Sequence, residues 1–491
     1  MLVPNSVKQM RAIRLIVPPA PRDAASPPFG WTPDLSRFAG PLYQRIADAI
    51  MEAVANGTLS AGQRLPTHRD LAARLGVTLR TISRAYSETA QRGVTTGTAG
   101  RGTFVTRRNA APATLPRDTP DPAGAIDLAL NALPIGAQAN LFRRGLAQVA
   151  ASVDIEELLT YMPPEGAWRH REAGAAWAAL RGMGSSAAGV TLCCGTQHAL
   201  LVSLLHLTQQ GNTVLTEALN YPGIVRMAAT LGLKLHGVAC DADGMRPDAL
   251  DELCGKRRPD AVILTPSGHN PTTITMPAER RAAVAEILAR HHVAVIENDT
   301  YGHALDAAPH PLSRNVPDLA YYICGTSKCL APGMRVGYLL GPPGTERKLA
   351  SIVHATIWSV SGFAAELASQ WINAGTAQRL ILWHRKESAR RAALVAAALP
   401  GLKLQSAAGL YHTWLPLPTP WRGIDFASQL ASAGVRVSPA EVFTVDTHPA
   451  PQAIRISLGG ALTDGRLNRA MRIISGLLER RPEDMFSDHL I

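Results

Sequence analysis

Cysteine is scarce and scattered in this chain of 491 residues. The six cysteines form no Cys-x-x-Cys pair and follow no regular spacing, so the sequence predicts neither a disulfide framework nor a metal site. Reduced thiols in a cytoplasmic protein are the simpler interpretation.

Long apolar runs are also missing. No stretch of about 18 apolar residues occurs, which predicts no membrane-spanning segment. An apolar patch near the start, Ile13–Ala20, is interrupted by proline and lacks the form of a signal-peptide core. We interpret residues 1–37 as an N-terminal arm, which is either loose or packed as a strap on another domain.

The chain is otherwise rich in apolar and basic residues. Hydrophobic residues make up 46% of it, and its length permits roughly two to four domains with a large core. The formal charge of +11 suits an anionic partner, although an arginine-rich proteome would give the same balance.

Residues 38–106 carry the pattern of a helix-turn-helix domain. Apolar side chains recur every four residues from Leu42 to Val54, which predicts a first helix with one apolar face. Thr67 and Thr78 stand where N-caps would open a second and a third helix, separated by a short turn. The third helix turns a basic outer face away from its apolar side, as in DNA-binding helix-turn-helix domains.

A wing follows these helices, and the charge of the segment supports contact with DNA. Two short runs, Val94–Thr96 and Gly102–Val105, predict paired strands with Arg101 at the tip. Residues 41–110 contain ten arginines, no lysine and four acidic residues, a net charge of +6 (10 − 4) that suits phosphate contacts. A structural three-helix module with a solvated basic face is the alternative interpretation.

The rest of the chain predicts a linker and a large α/β domain. Residues 107–125 contain four prolines and no apolar period, which predicts a stiff, extended linker. Residues 126–480 alternate strand-like and alanine-rich helical runs, which predicts a largely parallel sheet. After residue 345 the pattern changes to that of a smaller α+β lobe.

The strongest functional pattern surrounds Lys328. Two apolar runs flank a turn of small residues that presents this lysine, and Pro332-Gly333 breaks the chain before Arg335. A lysine on a tight turn behind a buried strand loses solvent, which lowers its pKa and suits it to form a Schiff base. A surface lysine beside a serine is the alternative.

Polar side chains follow two apolar runs upstream of this turn. One run leads to Asp299 and Tyr301, and the other leads to Asn270. Strand-end loops of open α/β sheets are where ligands bind. Pyridoxal 5′-phosphate (PLP) needs a lysine for its aldimine, a carboxylate on the pyridine nitrogen and donors to the ring oxygen. These residues and Lys328 offer such groups, so we predict PLP as the cofactor.

These patterns resemble the fold type I aminotransferases, and more closely the MocR subfamily of GntR transcription regulators. The resemblance covers roughly residues 41–475. It implies a multidomain protein with an N-terminal winged helix-turn-helix domain and an α/β PLP-dependent transferase fold (type I) with a smaller C-terminal α+β lobe. In the head it rests on Arg64-Leu-Pro66, Arg69-Asp-Leu-Ala72, Leu75-Gly-Val-Thr78 and Gly100-Arg-Gly-Thr-Phe-Val105.

The resemblance also implies roles for single residues. In the family, the residue matching Tyr221 stacks on the cofactor ring, and the one matching Tyr161 reaches the phosphate bound by the partner subunit of a homodimer. Arg335 supplies a fixed positive fork for phosphate. Arg455 matches the arginine that holds a substrate carboxylate, although a strand arginine pairing with a surface acid is the alternative. The cofactor-binding candidates are Lys328, Asp299, Tyr301, Asn270, Tyr221, Gly195, Thr196, Gln197, Ser327, Arg335 and Tyr161.

Gly195-Thr-Gln197 is a candidate phosphate site because it opens a helix directly after a strand. An ordinary turn is the alternative. On DNA, the resemblance implies contacts from helices two and three and from the wing. The candidate DNA-binding residues are Arg64, Arg69, Thr78, Arg80, Thr81, Arg84, Arg101 and Gly102.

Three positions depart from the resembled family. The arginine that usually follows the opening residue of helix three is displaced by one, to Arg80, which rotates it about 100° round the helix. Gly325 stands three residues before the lysine, where serine or threonine is usual. Thr273 stands where glycine is usual.

Three hypotheses for function remain open at the level of sequence. The first is a PLP-dependent transcription regulator in which PLP, or an amine or amino-acid effector acting on the Lys328 aldimine, repositions DNA-binding heads. The second is an active aminotransferase that carries a DNA-binding head. The third is a DNA-binding protein whose large domain is only a dimerisation scaffold.

Overall fold

The computed structural model describes residues 31–480 except residues 39, 56–57, 61, 92–93, 99–101, 106–123, 135, 137, 153–154, 447–449 and 461. The chain divides into two compact units, Met1–Ala111 and Pro112–Ile491. Most of the predicted arm (1–37) and of the predicted linker (107–125) lies outside the described residues.

The described part of the first unit contains three helices followed by a two-stranded hairpin. The helices are α1 (Leu42–Ala55), α2 (His68–Leu75) and α3 (Leu79–Gln91), and the strands β1 (Thr95–Thr98) and β2 (Gly102–Val105) pair antiparallel. The predicted helix-turn-helix with its wing is therefore confirmed.

Side-chain caps fix the two helices of the turn. The Thr67 hydroxyl oxygen accepts a hydrogen bond from the Asp70 N–H at 3.2 Å and donates to the Asp70 carboxylate at 2.7 Å. Gly76 ends α2 in the left-handed conformation, with a φ of 65°. Thr78 then accepts from the Thr81 N–H at 3.2 Å, at the start of α3. These bonds satisfy backbone donors that the helix starts leave unpaired.

The core of the head is formed by buried side chains of all three helices, among them Ile46, Ile50, Ile82 and Tyr86. One expectation is wrong, because Leu42 is 39% exposed although the four-residue repeat assigns it to the apolar face. It begins α1, a full turn before Ile46, which is the first fully buried residue of that helix.

The second unit is an α/β domain with many short strands. Its strands are β3 (Ile126–Asp127), β4 (Val190–Cys193), β5 (Thr213–Glu217), β6 (Lys234–Val238), β7 (Cys240–Asp241), β8 (Gly244–Met245), β9 (Ala261–Leu264), β10 (Ala294–Asn298), β11 (Ala320–Gly325), β12 (Gly337–Leu340), β13 (His412–Pro416), β14 (Val435–Arg436), β15 (Ser438–Pro439) and β16 (Ala453–Ser457).

Helices cover this sheet and fill the smaller lobe. They are α4 (Gln138–Ser152), α5 (Ile155–Leu158), α6 (Trp168–Ala179), α7 (Gly195–Leu207), α8 (Pro222–Thr230), α9 (Pro247–Arg257), α10 (Ala278–His291), α11 (Glu346–Ile357), α12 (Gly362–Asn373), α13 (Thr376–Ala398), α14 (Gly423–Ser432) and α15 (Asp464–Leu478).

The main sheet has seven strands in the order β4-β12-β11-β10-β9-β5-β6. Of these strands, β12 alone runs antiparallel to its neighbours. The carboxyl ends of β4, β5, β9, β10 and β11 therefore meet at one edge, where open α/β sheets bind ligands. The predicted, largely parallel sheet is confirmed.

The smaller lobe carries a three-stranded antiparallel sheet in the order β13-β16-β15, and β14 pairs parallel with β3. The sequence predicts a short first strand over residues 126–131, and only Ile126–Asp127 forms one. It ends at Asp127, because the carboxylate of Asp127 accepts hydrogen bonds from the N–H groups of Ala129 at 2.8 Å and Leu130 at 3.2 Å. These bonds turn the chain before Asn131.

Within the described ranges, no helix is long and apolar enough to cross a bilayer. The same residues contain no group of three or more His, Cys, Asp or Glu placed to hold a metal ion.

Candidate functional site

Lys328 lies in a tight turn that follows β11. The Leu330 N–H donates to the Thr326 carbonyl oxygen at 2.8 Å, and the Thr326 N–H donates to the Val336 carbonyl oxygen at 3.1 Å. Backbone hydrogen bonds thus fix the turn on both sides of Lys328. It presents the lysine at the edge of the sheet where the parallel strands end.

The environment of Lys328 favours the neutral amine. Its Nζ donates to the carbonyl oxygen of Asn131. Burial lowers the pKa of Lys328 to about 8, and the positive charges of Arg455 and Arg335 act in the same direction. A lysine with such a pKa has an appreciable fraction of nucleophilic amine near neutral pH.

Asp299 is fully buried one residue beyond β10 and is held on one oxygen only. Its Oδ2 accepts from the Arg181 Nε at 2.9 Å and from the Tyr322 hydroxyl at 2.8 Å, whereas its Oδ1 has no hydrogen-bond partner among the described residues. A buried carboxylate oxygen without a donor is costly. The arrangement leaves room for one further donor, and a protonated pyridine nitrogen is such a donor, so this residue fits PLP.

Tyr301 and Asn270 are each oriented by a neighbour that occupies one of their polar atoms. Asn131 Nδ2 donates to the Tyr301 hydroxyl oxygen at 2.9 Å, and Arg455 Nη1 donates to Asn270 Oδ1 at 2.8 Å. The Tyr301 proton and the Asn270 amide N–H groups are the donors that remain for a ligand. Asn270 precedes Pro271 through a cis peptide bond.

The start of α7 offers backbone N–H groups together with a positive side chain. Gly195 opens this helix directly after β4 with a φ of 76°, and a Cβ at this position would lie 3.0 Å from the Arg335 guanidinium. Arg335 Nη2 donates to the Cys194 carbonyl oxygen at 3.1 Å. Thr196 and the partly exposed Gln197 follow in the first turn. A helix start with an arginine beside it is suited to a phosphate.

The position of Gly325 explains one departure from the resembled family. A Cβ there would lie 2.8 Å from the methyl group of Thr196 and 3.2 Å from the Val336 carbonyl oxygen. A serine or threonine would therefore clash. The buried hydroxyl of Ser327 lies in the same turn and has no hydrogen-bond partner in the part of the chain that the structure describes. It is the neighbouring group that remains to meet an anion.

Arg455, on β16, is buried among polar groups that do not neutralise it. Besides Asn270 it contacts the Ala129 carbonyl oxygen and the Ser438 hydroxyl, while its Nε has no partner within the described ranges. Burial lowers the pKa of Arg455 to about 10. The Arg455 guanidinium has lost its solvent, so a carboxylate ligand would stabilise its charged form. The alternative of a surface ion pair does not describe this site.

Two predicted tyrosines lie at the surface. Tyr221 immediately precedes α8 and is 40% exposed, and its phenol is close enough to influence the pKa values of Tyr301 and Arg455. Tyr161 is 81% exposed, and its ring packs 5.1 Å from that of Trp358.

Three residues of the site were missed at the level of sequence. Arg181 and Tyr322 hold Asp299, and Asn131 contacts both Tyr301 and Lys328. Arg181 stands 118 residues from Asp299 in the chain, and no local pattern indicates their ion pair. Only the general rule that a buried carboxylate needs a partner indicates that such a residue exists.

In the first unit, the candidate DNA-binding side chains lie mostly at the surface. Arg69 and Arg80 are exposed, and the hydroxyls of Thr78 and Thr81 lie 2.9 Å apart. Arg84 is exposed too, but its guanidinium stacks on the ring of Tyr43 at 3.8 Å.

In the wing, Gly102 has a φ of 107° and a Cβ there would lie 2.8 Å from Arg64 Nε, so the arginine passes directly over this glycine. Arg101 lies outside the described residues.

Comparisons with known proteins agree with both units. Residues 123–474 match the family described as aminotransferase class I and II, and residues 42–105 match the family of bacterial regulatory proteins, gntR family. Among curated relatives, the uncharacterized HTH-type transcriptional regulator YdeF of Bacillus subtilis is 29% identical over 92% of this chain and 97% of its own length. The vitamin B6 salvage pathway transcriptional repressor PtsJ of Salmonella typhimurium is 26% identical, over 90% of this chain and 99% of its own.

Solved aminotransferases share the fold of the second unit. An archaeal alanine:glyoxylate aminotransferase superposes with a TM-score of 0.66 at 22% identity, over 72% of this chain and 91% of its own. LysN, the α-aminoadipate aminotransferase of Thermus thermophilus, gives 0.65 at 21% identity, over 72% and 92%. The chain therefore belongs to the aminotransferase class I and II family and carries a gntR-family DNA-binding head, the domain combination of MocR-type transcription regulators.

Proposed function

We propose that this protein is a transcription regulator that binds double-stranded DNA through its head and holds PLP on Lys328. The observation that carries the proposal is the arrangement around Lys328, whose lowered pKa coincides with an unpartnered, buried Asp299 oxygen and with an arginine at a helix start. When bound, PLP supplies an aldehyde that links covalently to amines. A regulator of this kind acts on chromosomal DNA, so we place it in the cytoplasm.

The ring of the cofactor would be held by four residues. Asp299 Oδ1 would meet the pyridine nitrogen, because Oδ2 is already engaged by Arg181 and Tyr322. Tyr301 would donate to the ring oxygen, since Asn131 occupies a lone pair of its hydroxyl and not its proton. Asn270 would donate through its amide nitrogen, and Tyr221 would cover the ring face.

The phosphate would lie at the start of α7. Backbone N–H groups of Gly195, Thr196 and Gln197, the guanidinium of Arg335 and the hydroxyl of Ser327 are the groups assigned to it. Because no acidic side chain is among them, the site is positive before an anion arrives.

An effector amine, an amino acid or PLP itself would act on the linkage to Lys328. Arg455 is assigned to an effector carboxylate, because its Nε is buried without a partner. PLP as effector is supported by the name of PtsJ, a relative described as a repressor of vitamin B6 salvage. Regulation then requires that the bound and unbound states favour different arrangements of the heads on DNA.

The head would divide its contacts between phosphates and bases. Arg69, at the start of α2, is assigned to phosphate, and Arg80, Thr78 and Thr81, at the start of α3, to the major groove. Gly102 and Arg101 of the wing, with Arg64 beside Gly102, would lie against the backbone of the adjacent groove. Arg84, stacked on Tyr43, is a weaker candidate because it already has a partner.

We propose a homodimer in which Tyr161 completes the site of the partner subunit. Support comes from the exposed pair of Tyr161 and Trp358, since large exposed aromatics in contact mark interaction surfaces. Light scattering of the PLP-loaded protein tests the dimer, and a monomer at micromolar concentration would contradict it.

Mixed dimers test the sharing of Tyr161. In a dimer of one Tyr161→Phe chain and one Lys328→Ala chain, the first chain keeps Lys328 and receives Tyr161 from the second, so one site of ordinary PLP affinity should be recovered. If Tyr161 serves its own subunit, no site of ordinary affinity appears.

The covalent site itself is tested by spectroscopy and mass spectrometry. Purified protein with PLP should show visible absorbance, and after borohydride reduction the mass of PLP should be found on the peptide that contains Lys328. The variant Lys328→Ala should lose both properties, while Lys348→Ala, on α11, should keep them. Label on another lysine would remove Lys328 from its role.

An active aminotransferase is the second candidate, and the completeness of the site favours keeping it. Lys328, Asp299 and Arg455 are the groups that binding of an amino acid and PLP together would need. Release of a keto acid from an amino donor over many turnovers would favour this candidate. A single turnover or none favours the regulator.

A further inference from the structure

A cavity of about 290 Å³ lies at the carboxyl ends of β5 and β9. It is separate from the set of residues assigned to the cofactor, although it adjoins two of their turns. Most of its wall is apolar, and its polar side chains include a carboxyl group, a hydroxyl and an imidazole. Its lining includes Met245, Ile274, Met276, Glu217, Thr265, His269 and Cys240.

The Glu217 carboxyl group is buried without a counter-charge. It accepts hydrogen bonds from the Thr265 N–H at 2.7 Å, the Asn220 side-chain amide at 2.7 Å and the Thr216 hydroxyl at 3.1 Å, all of which are neutral donors. Burial raises the pKa of Glu217 to about 7. Among the described residues, no lysine or arginine lines the cavity. Buried carboxylates are ordinarily paired with a cation.

Two further lining side chains have polar atoms without a partner in the described part of the chain. They are the Thr265 hydroxyl and the His269 Nε2, and both residues are more than nine-tenths buried. Burial lowers the pKa of His269 to about 4, so its ring is neutral near neutral pH. Unsatisfied buried polar groups are uncommon in proteins, and the Glu217 carboxyl group and the Thr265 hydroxyl, both able to accept hydrogen bonds, thus line one small space.

We propose that this cavity binds a small amine, whose ammonium group pairs with Glu217 and whose apolar body packs against Met245, Ile274 and Met276. An ammonium carries three donors and one positive charge. It supplies the counter-charge that Glu217 lacks, and the Thr265 hydroxyl offers a second acceptor. The apolar wall selects an alkyl or aromatic amine over a charged or sugar-like one.

The cavity is connected to the cofactor site through two turns. Asn220, which donates to Glu217, accepts from the Tyr221 N–H at 2.6 Å, and His269 immediately precedes Asn270. An amine in the cavity would therefore influence the positions of Tyr221 and Asn270 in the cofactor site without any link to Lys328. The proposed site stands on its own geometry, independent of the function proposed above.

Calorimetric titration of the full-length, PLP-loaded protein with phenethylamine tests the site. Saturable binding is expected, and it should be weaker by roughly 10- to 100-fold for 2-phenylethanol, which lacks the charge, and in the variant Glu217→Gln. Binding should persist in Lys328→Ala, where the cofactor linkage cannot form. Binding that survives Glu217→Gln but is lost in Lys328→Ala would overturn the proposal, as would equal affinity for the alcohol.

A second measurement needs no substitution at Glu217, so it tests the site even if Glu217→Gln fails to fold. The affinity of Lys328→Ala for phenethylamine should rise between pH 6 and pH 8, because Glu217 loses its proton near pH 7 and no amine linkage at position 328 contributes. The other titratable lining groups do not change there, since the pKa of His269 is lowered to about 4 and burial raises that of Cys240 to about 12. An affinity that is constant over this range contradicts pairing with Glu217.

Discussion

The two units present their functional residues in opposite ways. In the head, candidate contacts such as Arg69 and Arg80 are exposed, and they lie on consecutive helices in a short segment of the sequence. In the large domain, the residues around Lys328 are mostly buried and come from segments as distant as Asn131 and Arg455. A DNA-contacting surface can be built from one short motif, whereas a cofactor pocket requires the whole sheet to assemble.

This difference determines how each region should respond to substitution. An exposed arginine that contacts DNA can be removed without harm to folding, so its loss affects binding alone. A buried ion pair affects both folding and binding. When one partner is removed, the other remains buried with a charge that neither solvent nor a counter-charge stabilises. Substitutions in the two regions can therefore test the comparison directly.

The largest effect is expected for Arg181→Met. This substitution leaves the Asp299 carboxylate buried with only the Tyr322 hydroxyl, so the free energy of unfolding should fall by about 3–5 kcal/mol. Arg390→Met is the matched control, because Arg390 pairs with Glu387 and Asp464 at the surface, and it should cost about 0–1 kcal/mol. Equal losses in chemical denaturation of the two variants would remove Arg181 from its positioning role.

The next effect concerns the pH at which Lys328 captures PLP. The lowered pKa implies that the rate of covalent capture rises through pH 8, and not through 10.5 as for an ordinary lysine. The difference of 2.5 pKa units (10.5 − 8) corresponds to about 300-fold more neutral amine near neutral pH. Stopped-flow absorbance over a pH series measures the midpoint, and a midpoint above pH 10 would show that the site does not perturb this lysine.

A smaller effect is expected in the head, for Arg80→Ala. Loss of a base contact should cost about 1–3 kcal/mol on the specific site and relax the preference at one base pair. Arg69→Ala is the comparison, and it should weaken all duplexes about equally and reduce the salt slope by about one unit. Titration of specific and random duplexes at several salt concentrations separates the two outcomes. If Arg80→Ala weakens both duplexes equally, Arg80 contacts phosphate.

The smallest effect is expected for Thr273→Gly. Thr273 is a buried, β-branched residue with a φ of 66°, a conformation that costs such residues about 1–3 kcal/mol. Glycine relieves this strain but adds about 0.5–1 kcal/mol of unfolded-state entropy, so a net gain of about 0–2 kcal/mol is expected. His292→Gly is the control at an unbranched residue with a φ of 52°, and it should gain less. A less stable Thr273→Gly protein would show that the threonine is held there by favourable contacts.

The sequence was informative wherever a short segment determined its own structure. Local rules determine the helix caps at Thr67 and Thr78, so these helices could be predicted. The same holds for the strands that lead to Asp299 and Asn270. Leu42 was assigned wrongly because periodicity does not indicate where a helix leaves the core.

Long-range partnerships could not be predicted in the same way. No local pattern links Arg181 to Asp299 or Asn131 to Lys328, and the cavity beside Glu217 exists only after β5 and β9 are paired. Their chemistry depends on burial, which arises from the assembled fold.

The central claim is that the state of Lys328 governs how the head binds DNA. The most direct measurement selects DNA fragments retained by the full-length protein, and then determines the affinity of one such fragment with and without PLP for the wild type and for Lys328→Ala. The account predicts that PLP changes the affinity or footprint of the wild type, whereas Lys328→Ala binds the fragment with no response to PLP. An equal response in both proteins, or a response in neither, would contradict it.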